Sequence, residues 1–368
     1  MPDELLKTKL FIPSPRSDFV PRPRLIQRLT AGFQGKLTLL SAPAGFGKTT
    51  LLSEGISTLN QPVAWVSLDK EDNDPIRFWS YFITALQTIH AGIGQNALSS
   101  LQTSQIPHIE SILTSLINET AEMQEDINIV LDDYHMIEAE SVQSSMIFLL
   151  DHMPSQLHLV IATRIDPPFA LALLRGRGQI TELRTSDLRF TFEETTAFFN
   201  ETMNLGLSEE NVTTLEDRTE GWIASLQMAA ISMQGLNDVS EFVNAFSGTH
   251  YYIMDYLAEE VLDRQEDKIQ SFLLKTSILD RLNGPLCNAV IGQDNSQEIL
   301  DRLEAINLFL VSLDDEGKWF RYHHLFADLL RKKLNETYPD SVPTELHLRA
   351  SKWFEDEALM NEAINESK

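Results

Sequence analysis

Cysteine is nearly absent: Cys287 stands alone in 368 residues. No internal disulfide can form, and a single thiol suits a reducing compartment. Long apolar runs are missing too. The strongest, such as residues 146–150, fall far short of the ~20 a membrane helix needs, so no membrane partner is expected. Basic residues are scarce: 29 Lys and Arg stand against 54 Asp and Glu, a formal net charge of −25. Gripping a nucleic-acid backbone takes a basic face, so the chain is not expected to hold DNA by itself. The acidic start, Met1-Pro2-Asp3-Glu4, lacks the basic-then-apolar layout of a secretory leader. A cytoplasmic location is expected. Nine scattered histidines and one cysteine offer no zinc-ligand spacing, and neither a repeat nor a low-complexity tract is present.

What remains is ordinary globular material, 43% hydrophobic and 23% charged, long enough for two to four domains. Residues 1–30 hold a dense set of prolines and arginines (Pro13, Pro15, Arg16, Pro21, Arg22, Pro23, Arg24), which predicts an extended arm and a short helix at 25–30. Over 31–186, short apolar runs rich in β-branched residues alternate with helical stretches. Strands are expected at 37–41, 63–68, 127–131, 157–162 and 180–183, and helices include 49–59, 75–89 and 109–122. This pattern predicts an α/β core, a parallel sheet with helices on both faces. Residues 187–245 read as a helical domain. Thr191 and Glu194 have capping-box spacing, and a second helix starts near Ser208 and ends at Gly221. Over 246–342, three helical stretches precede apolar runs at 308–313 and 318–322, separated by Asp314-Asp315-Glu316-Gly317. Helices followed by a hairpin predict a winged helix. Residues 343–368 read as an amphipathic helix pair, the start of a helical arm in a longer natural protein.

The strongest motif is Ala42-Pro43-Ala44-Gly45-Phe46-Gly47-Lys48-Thr49-Thr50 between a predicted strand and a predicted helix, the setting a phosphate loop requires. Gly45 and Gly47 permit positive φ and close backbone approach. Backbone N–H groups through Phe46 can then face one anion, with the helix dipole behind them. Lys48 would bridge the β- and γ-phosphates, Thr49 would ligate Mg²⁺, and Thr50 could reach the α-phosphate. Ala42 replaces the usual first glycine; the later glycines carry the close approach.

The apolar run 127–131 ends in Asp132-Asp133, a Walker-B arrangement. Asp132 would hold Mg²⁺ through water, and Asp133 would orient or deprotonate an attacking water. The alternative is two solvated carboxylates opening a turn. The next strand runs into Arg164. In such sheets it lies between the other two, so Arg164 would contact the γ-phosphate; the alternative is a surface arginine paired with Asp166. His323 and His324 open a helix and from sequence alone read better as packed residues than as phosphate donors. Tyr251-Tyr252 and Trp319-Phe320 read as core. The helix before the wing carries Glu298, Asp301 and Glu304 against Arg302, too acidic to enter a DNA groove.

Ordered motifs across nearly the whole chain resemble the large LuxR-type transcriptional activators related to MalT, of the STAND class of signal-transducing P-loop ATPases. They are Lys7-Thr8-Lys9-Leu10, Val20-Pro21-Arg22-Pro23-Arg24-Leu25, the phosphate loop, Ala64-Trp65-Val66-Ser67-Leu68-Asp69 with Asp72, and Leu131-Asp132-Asp133-Tyr134-His135. Further on come Ala162-Thr163-Arg164-Ile165-Asp166-Pro167-Pro168, Glu182-Leu183-Arg184, Asp187-Leu188-Arg189-Phe190-Thr191, Thr219-Glu220-Gly221-Trp222 and Arg321-Tyr322-His323-His324-Leu325-Phe326.

The resemblance implies an ADP-bound resting monomer that ATP plus an inducer opens for self-association, with slow hydrolysis resetting it. It implies that His323 contacts the β-phosphate and that Arg22 lies near the nucleotide. Ile223 takes the place of a proline that the wider class sets against the adenine. Inducer sensing and DNA binding would belong to a sensor superhelix and a helix-turn-helix beyond residue 368. The competing expectation is a metabolic P-loop kinase or ATPase with a small-molecule acceptor, for which Arg175, Arg177 and Arg184 could furnish a lid. A third is a binding module without hydrolysis.

Overall fold

The five apolar runs between Lys36 and Thr185 form one all-parallel sheet in the computed structural model, which describes residues 5–14, 19–58, 61–103, 108–236, 239–314, 317–357 and 359. Two compact units are present, Met1–Ala42 with Phe46–Leu188, and Pro43–Gly45 with Arg189–Lys368.

In the first unit, a 3-10 turn at Lys7–Leu10 leads to α1 (Pro23–Gly32), β1 (Leu37–Ser41) and α2 (Lys48–Thr58). Then come β2 (Val63–Ser67), α3 (Pro75–Ile89), α4 (Gln95–Leu101), α5 (Ile109–Ala121), β3 (Ile127–Asp132) and α6 (Glu140–His152). The unit closes with β4 (Leu157–Thr163), α7 (Leu171–Gly176), β5 (Ile180–Arg184) and α8 (Thr185–Leu188). The strand order is β2-β3-β4-β1-β5, so β4 does lie between the loop strand and the acidic strand. Strands β1, β3 and β4 are buried along their whole length, as the middle of a covered parallel sheet requires. Parallel pairing sets Ser41 beside Thr163 and Ser67 beside Asp132. The segments after β1, β3 and β4 therefore leave from one edge.

Helix α3 shows why these elements form. Asp74 caps it by accepting from Arg77 N–H at 2.9 Å, and Pro75 fills the first helical position, where its missing N–H costs nothing. Phe78, Trp79, Phe82, Ile83 and Leu86 make a buried face, each contributing about 1.5–3 kcal/mol by leaving water. Trp79 Nε1 donates to Ser145 Oγ on α6 at 3.0 Å. The arm is anchored beside it: buried Lys9 pairs with fully buried Asp72 and, at 3.0 Å, with Asp69.

The second unit begins with α9 (Phe192–Ala197), extended by a π turn at Phe198–Thr202. Thr191 Oγ1 accepts from Glu194 N–H at 3.2 Å, while the Glu194 carboxylate accepts from Thr191 N–H at 3.1 Å, the expected capping box. There follow α10 (Glu209–Thr219), α11 (Ile223–Met233), α12 (Val239–Ala245) and α13 (Tyr251–Leu257, with a π turn at Ala258–Leu262). Next are α14 (Asp267–Thr276), α15 (Gly284–Ile291), α16 (Ser296–Ala305), the antiparallel pair β6 (Leu310–Ser312) and β7 (Phe320–Tyr322), α17 (His324–Thr337) and α18 (Ser341–Asp356).

Four helices, not three, precede the hairpin. Asn283 accepts from Leu286 N–H at 2.8 Å and Pro285 follows, which starts α15 afresh after α14. Tyr251 and Tyr252 are 64% and 51% exposed rather than core; they open α13 on the side away from its buried Ile253 and Leu257. Trp319 is half-buried and Phe320 is fully buried. Pro15 and Arg16 of the arm, Asp315 and Glu316 of the hairpin turn, and the second helix expected in the tail lie outside the described residues. Among the described residues no helix is long and apolar enough to cross a membrane.

Candidate nucleotide site

Chain direction builds the site. β1 ends at Ser41, and α2 starts at Lys48. Gly45 and Gly47 between them take φ of 77° and 73°, a left-handed backbone that a side chain would strain. Lys48 is 8% exposed and its Nζ donates to Ala42 O at 2.7 Å. Burial, and next to it the charge of Arg164, lowers its pKa to about 8. Phe46 is 2% exposed; with its ring in the core, only its backbone is left for an anion. Thr50 lies half-buried in the first turn of α2.

Thr49 Oγ1 donates to Asp132 Oδ2 at 2.9 Å. Asp132 ends β3 and is 4% exposed; burial, and then the adjacent Asp133 charge, raises its pKa to about 6. Asp133 differs: it takes φ of 57°, its side chain is 51% exposed, and its N–H donates to Asp132 Oδ1 at 3.1 Å. One carboxylate is sheltered beside the Thr49 hydroxyl and the other is open to water. Two environments of this kind suit two roles, a metal ligand and a water-orienting base.

Arg164 follows β4 directly and lies close enough to lower the Lys48 pKa. Two residues further on, Asp166 accepts from Ser41 Oγ at 2.7 Å and pairs with Arg184. Arg22 is 4% exposed, its Nη2 donates to Leu188 O at 2.9 Å, and its charge acts on Glu54 of α2. Lys48, Thr49, Asp132, Asp133 and Arg164 are thus brought to one edge of the sheet.

His323 and Ile223 belong to the second unit. Ile223 is the half-buried first residue of α11. His323 is 2% exposed, and burial holds its pKa down at about 4. Its Nε2 lies 2.9 Å from Thr219 O; a carbonyl only accepts, so Nε2 carries the proton and Nδ1 presents a lone pair. The buried Nδ1 has no hydrogen-bond partner among the described residues.

Glu220, next to Thr219, has no role that its sequence neighbourhood announces. It takes φ of 50° and accepts from Arg321 Nη1 and Nη2 at 2.6 and 2.9 Å and from His324 N–H at 3.2 Å. Arg189 lies 3.1 Å away. Burial opposes its charge, but Arg321 and its neighbours win and hold its pKa at about 2. The available signal was an acidic residue before Gly221 and an arginine two positions before His323.

Residues 258–342 match the MalT winged helix domain. The HTH-type transcriptional regulator MalT of Klebsiella pneumoniae is 34% identical over 363 residues, 98% of this chain and 40% of that protein. The serine/threonine-protein kinase PknK of Mycobacterium tuberculosis is 33% identical over 354 residues, 95% of this chain and 32% of that protein. The chain thus spans well under half the length of these relatives. Among solved structures, the Walker-type ATPase of Pyrococcus abyssi aligns with a TM-score of 0.58 over 87% of this chain and 98% of its own, at 14% identity, a likeness of fold. The chain thus joins a MalT winged helix domain to a fold shared with a Walker-type ATPase, and it resembles MalT over nearly its whole length.

Proposed function

We propose that the chain is the nucleotide switch of a signal-responsive transcriptional regulator of the STAND class, resting with ADP and activated with ATP. The observation that carries this reading is the cluster of buried Lys48, Thr49 and buried Asp132 beside a loop with two left-handed glycines. The Thr49 hydroxyl and the Asp132 carboxylate are hard oxygen donors, a set that fits Mg²⁺. Bound there, Mg²⁺ would neutralise charge on the phosphate oxygens.

Lys48 and the N–H groups of residues 45–50 bind the phosphates. Asp133 orients and deprotonates water, and Arg164 answers to the terminal phosphate. Arg22 and Ile223 are proposed nucleotide contacts, and His323 a β-phosphate contact. With its Nε2 proton given to Thr219 O, His323 can donate to a phosphate only after gaining a proton at Nδ1 or leaving Thr219. Inducer recognition, DNA binding and activated self-association are proposed for the longer protein.

The test is mass analysis of the nucleotide that copurifies, followed by titration with ADP and ATP. ADP should copurify, Lys48→Ala should abolish binding, and Asp133→Asn should bind ATP without turning it over. Absence of binding to either nucleotide, or unchanged binding by Lys48→Ala, overturns the reading.

A further inference from the structure

The segment that carries Arg164 is fixed at both ends. At its start, Ala42 N–H donates to Thr163 O at 3.3 Å, continuing the β1–β4 pairing. The Thr163 hydroxyl donates to Ile165 O at 2.6 Å, which folds the chain back at once. At its end, Asp166 returns to the sheet, where its Oδ1 accepts from Ser41 Oγ at 2.7 Å and meets the Arg184 guanidinium. Ser41 and Arg184 are themselves register partners, the last residues of β1 and β5. One carboxylate therefore ties the segment after β4 to the ends of two other strands, and Ser41 stands immediately before the phosphate loop.

We infer that Asp166 is a positioning residue, which holds Arg164 at the phosphate loop by clamping its segment to Ser41 and Arg184; this rests on the nucleotide reading above. An arginine on a long side chain senses a terminal phosphate only if its backbone is held, and a misplacement of about 1 Å costs up to ~100-fold in rate. Asn at position 166 keeps the shape and removes the charge that holds Arg184. The Lys48–Thr49–Asp132 cluster contains no atom of Asp166, so diphosphate binding should persist.

The experiment compares wild type, Arg164→Ala, Asp166→Asn and the double variant, each for ADP affinity, melting temperature, and kcat and KM for ATP hydrolysis. The expected result is a 10- to 100-fold fall in kcat for Asp166→Asn, by the same positioning argument, with ADP affinity within about twofold of wild type. The double variant should be no slower than Arg164→Ala, because a clamp has nothing left to hold once the guanidinium is gone. Losses that multiply would mean a merely structural role and overturn the inference. So would a wild-type kcat for Asp166→Asn beside a slow Arg164→Ala, with the nucleotide reading intact. Failure of the wild type to bind ADP would remove that reading itself, and the inference with it. Should Asp166→Asn not fold, Ser41→Ala, which deletes one partner of the clamp, takes its place in the cycle: a slow kcat that does not multiply with Arg164→Ala supports the clamp, and a wild-type or multiplying kcat overturns it.

Discussion

At the scale of single residues, the site is built from charges that burial disfavours. Lys48 has a pKa of about 8 in the fold against its ordinary 10.5. The unfolded chain holds more protons between those values, so this group's contribution to stability rises with pH across that window and is a cost at pH 7. Asp132 runs the other way: its pKa of about 6 exceeds the ordinary 3.8, so the fold holds the extra proton and gains stability as pH falls from about 6 toward 4. Lys48→Met should therefore stabilise nucleotide-free protein at pH 7.5, by on the order of 1–3 kcal/mol, while losing ADP binding. Asp132→Asn should stabilise it at pH 7.5, with the gain shrinking by pH 4.5, where the wild-type carboxyl is itself protonated. Urea melts at the two pH values, without nucleotide, measure both. A destabilised Lys48→Met at pH 7.5 would show that the lysine is not strained by its burial.

At the scale of elements, the turn between α10 and α11 is joined to β7 by Glu220 and Arg321. Arg321→Met would leave the buried carboxylate without its two-pronged partner, a loss of about 3–5 kcal/mol for buried pairs, readable by chemical denaturation; a loss below ~1 kcal/mol would mean that Arg189 suffices. Gly221, at φ of 68°, is fixed in the same turn because a Cβ would stand 2.5 Å from Phe190 O. The strands and α3 were legible in sequence because each is specified locally, by an apolar run ended by turn residues or by a cap with a buried stripe. The loop at Lys48 and the pair Asp132-Asp133 were legible because their chemistry is contiguous. The partners of Asp166 and Glu220 were not, since Ser41 is 125 residues from the one and Arg321 is 101 from the other. Tyr251 and Tyr252 misled because aromaticity speaks for burial only when the helical phase agrees, and theirs faces away from Ile253 and Leu257.

At the scale of the whole molecule, a net charge of −25 sets up self-repulsion that a compact fold must tolerate. Added salt screens it, so the melting temperature should climb between roughly 20 and 150 mM NaCl, where the Debye length is about 20 and 8 Å; a fall would locate the dominant electrostatics in attractive pairs instead. Nucleotide should act on top of that: ADP at ~1,000 times its dissociation constant adds about 4 kcal/mol. The second unit also carries its own gauge. Cys287 lies fully buried in α15, and burial pushes its thiol up to about 12. An alkylating reagent at neutral pH finds neither thiolate nor access, so the folded chain should stay unlabelled. Each molecule that takes up label has opened around α15, and the labelling rate becomes a clock for that event with no engineered probe.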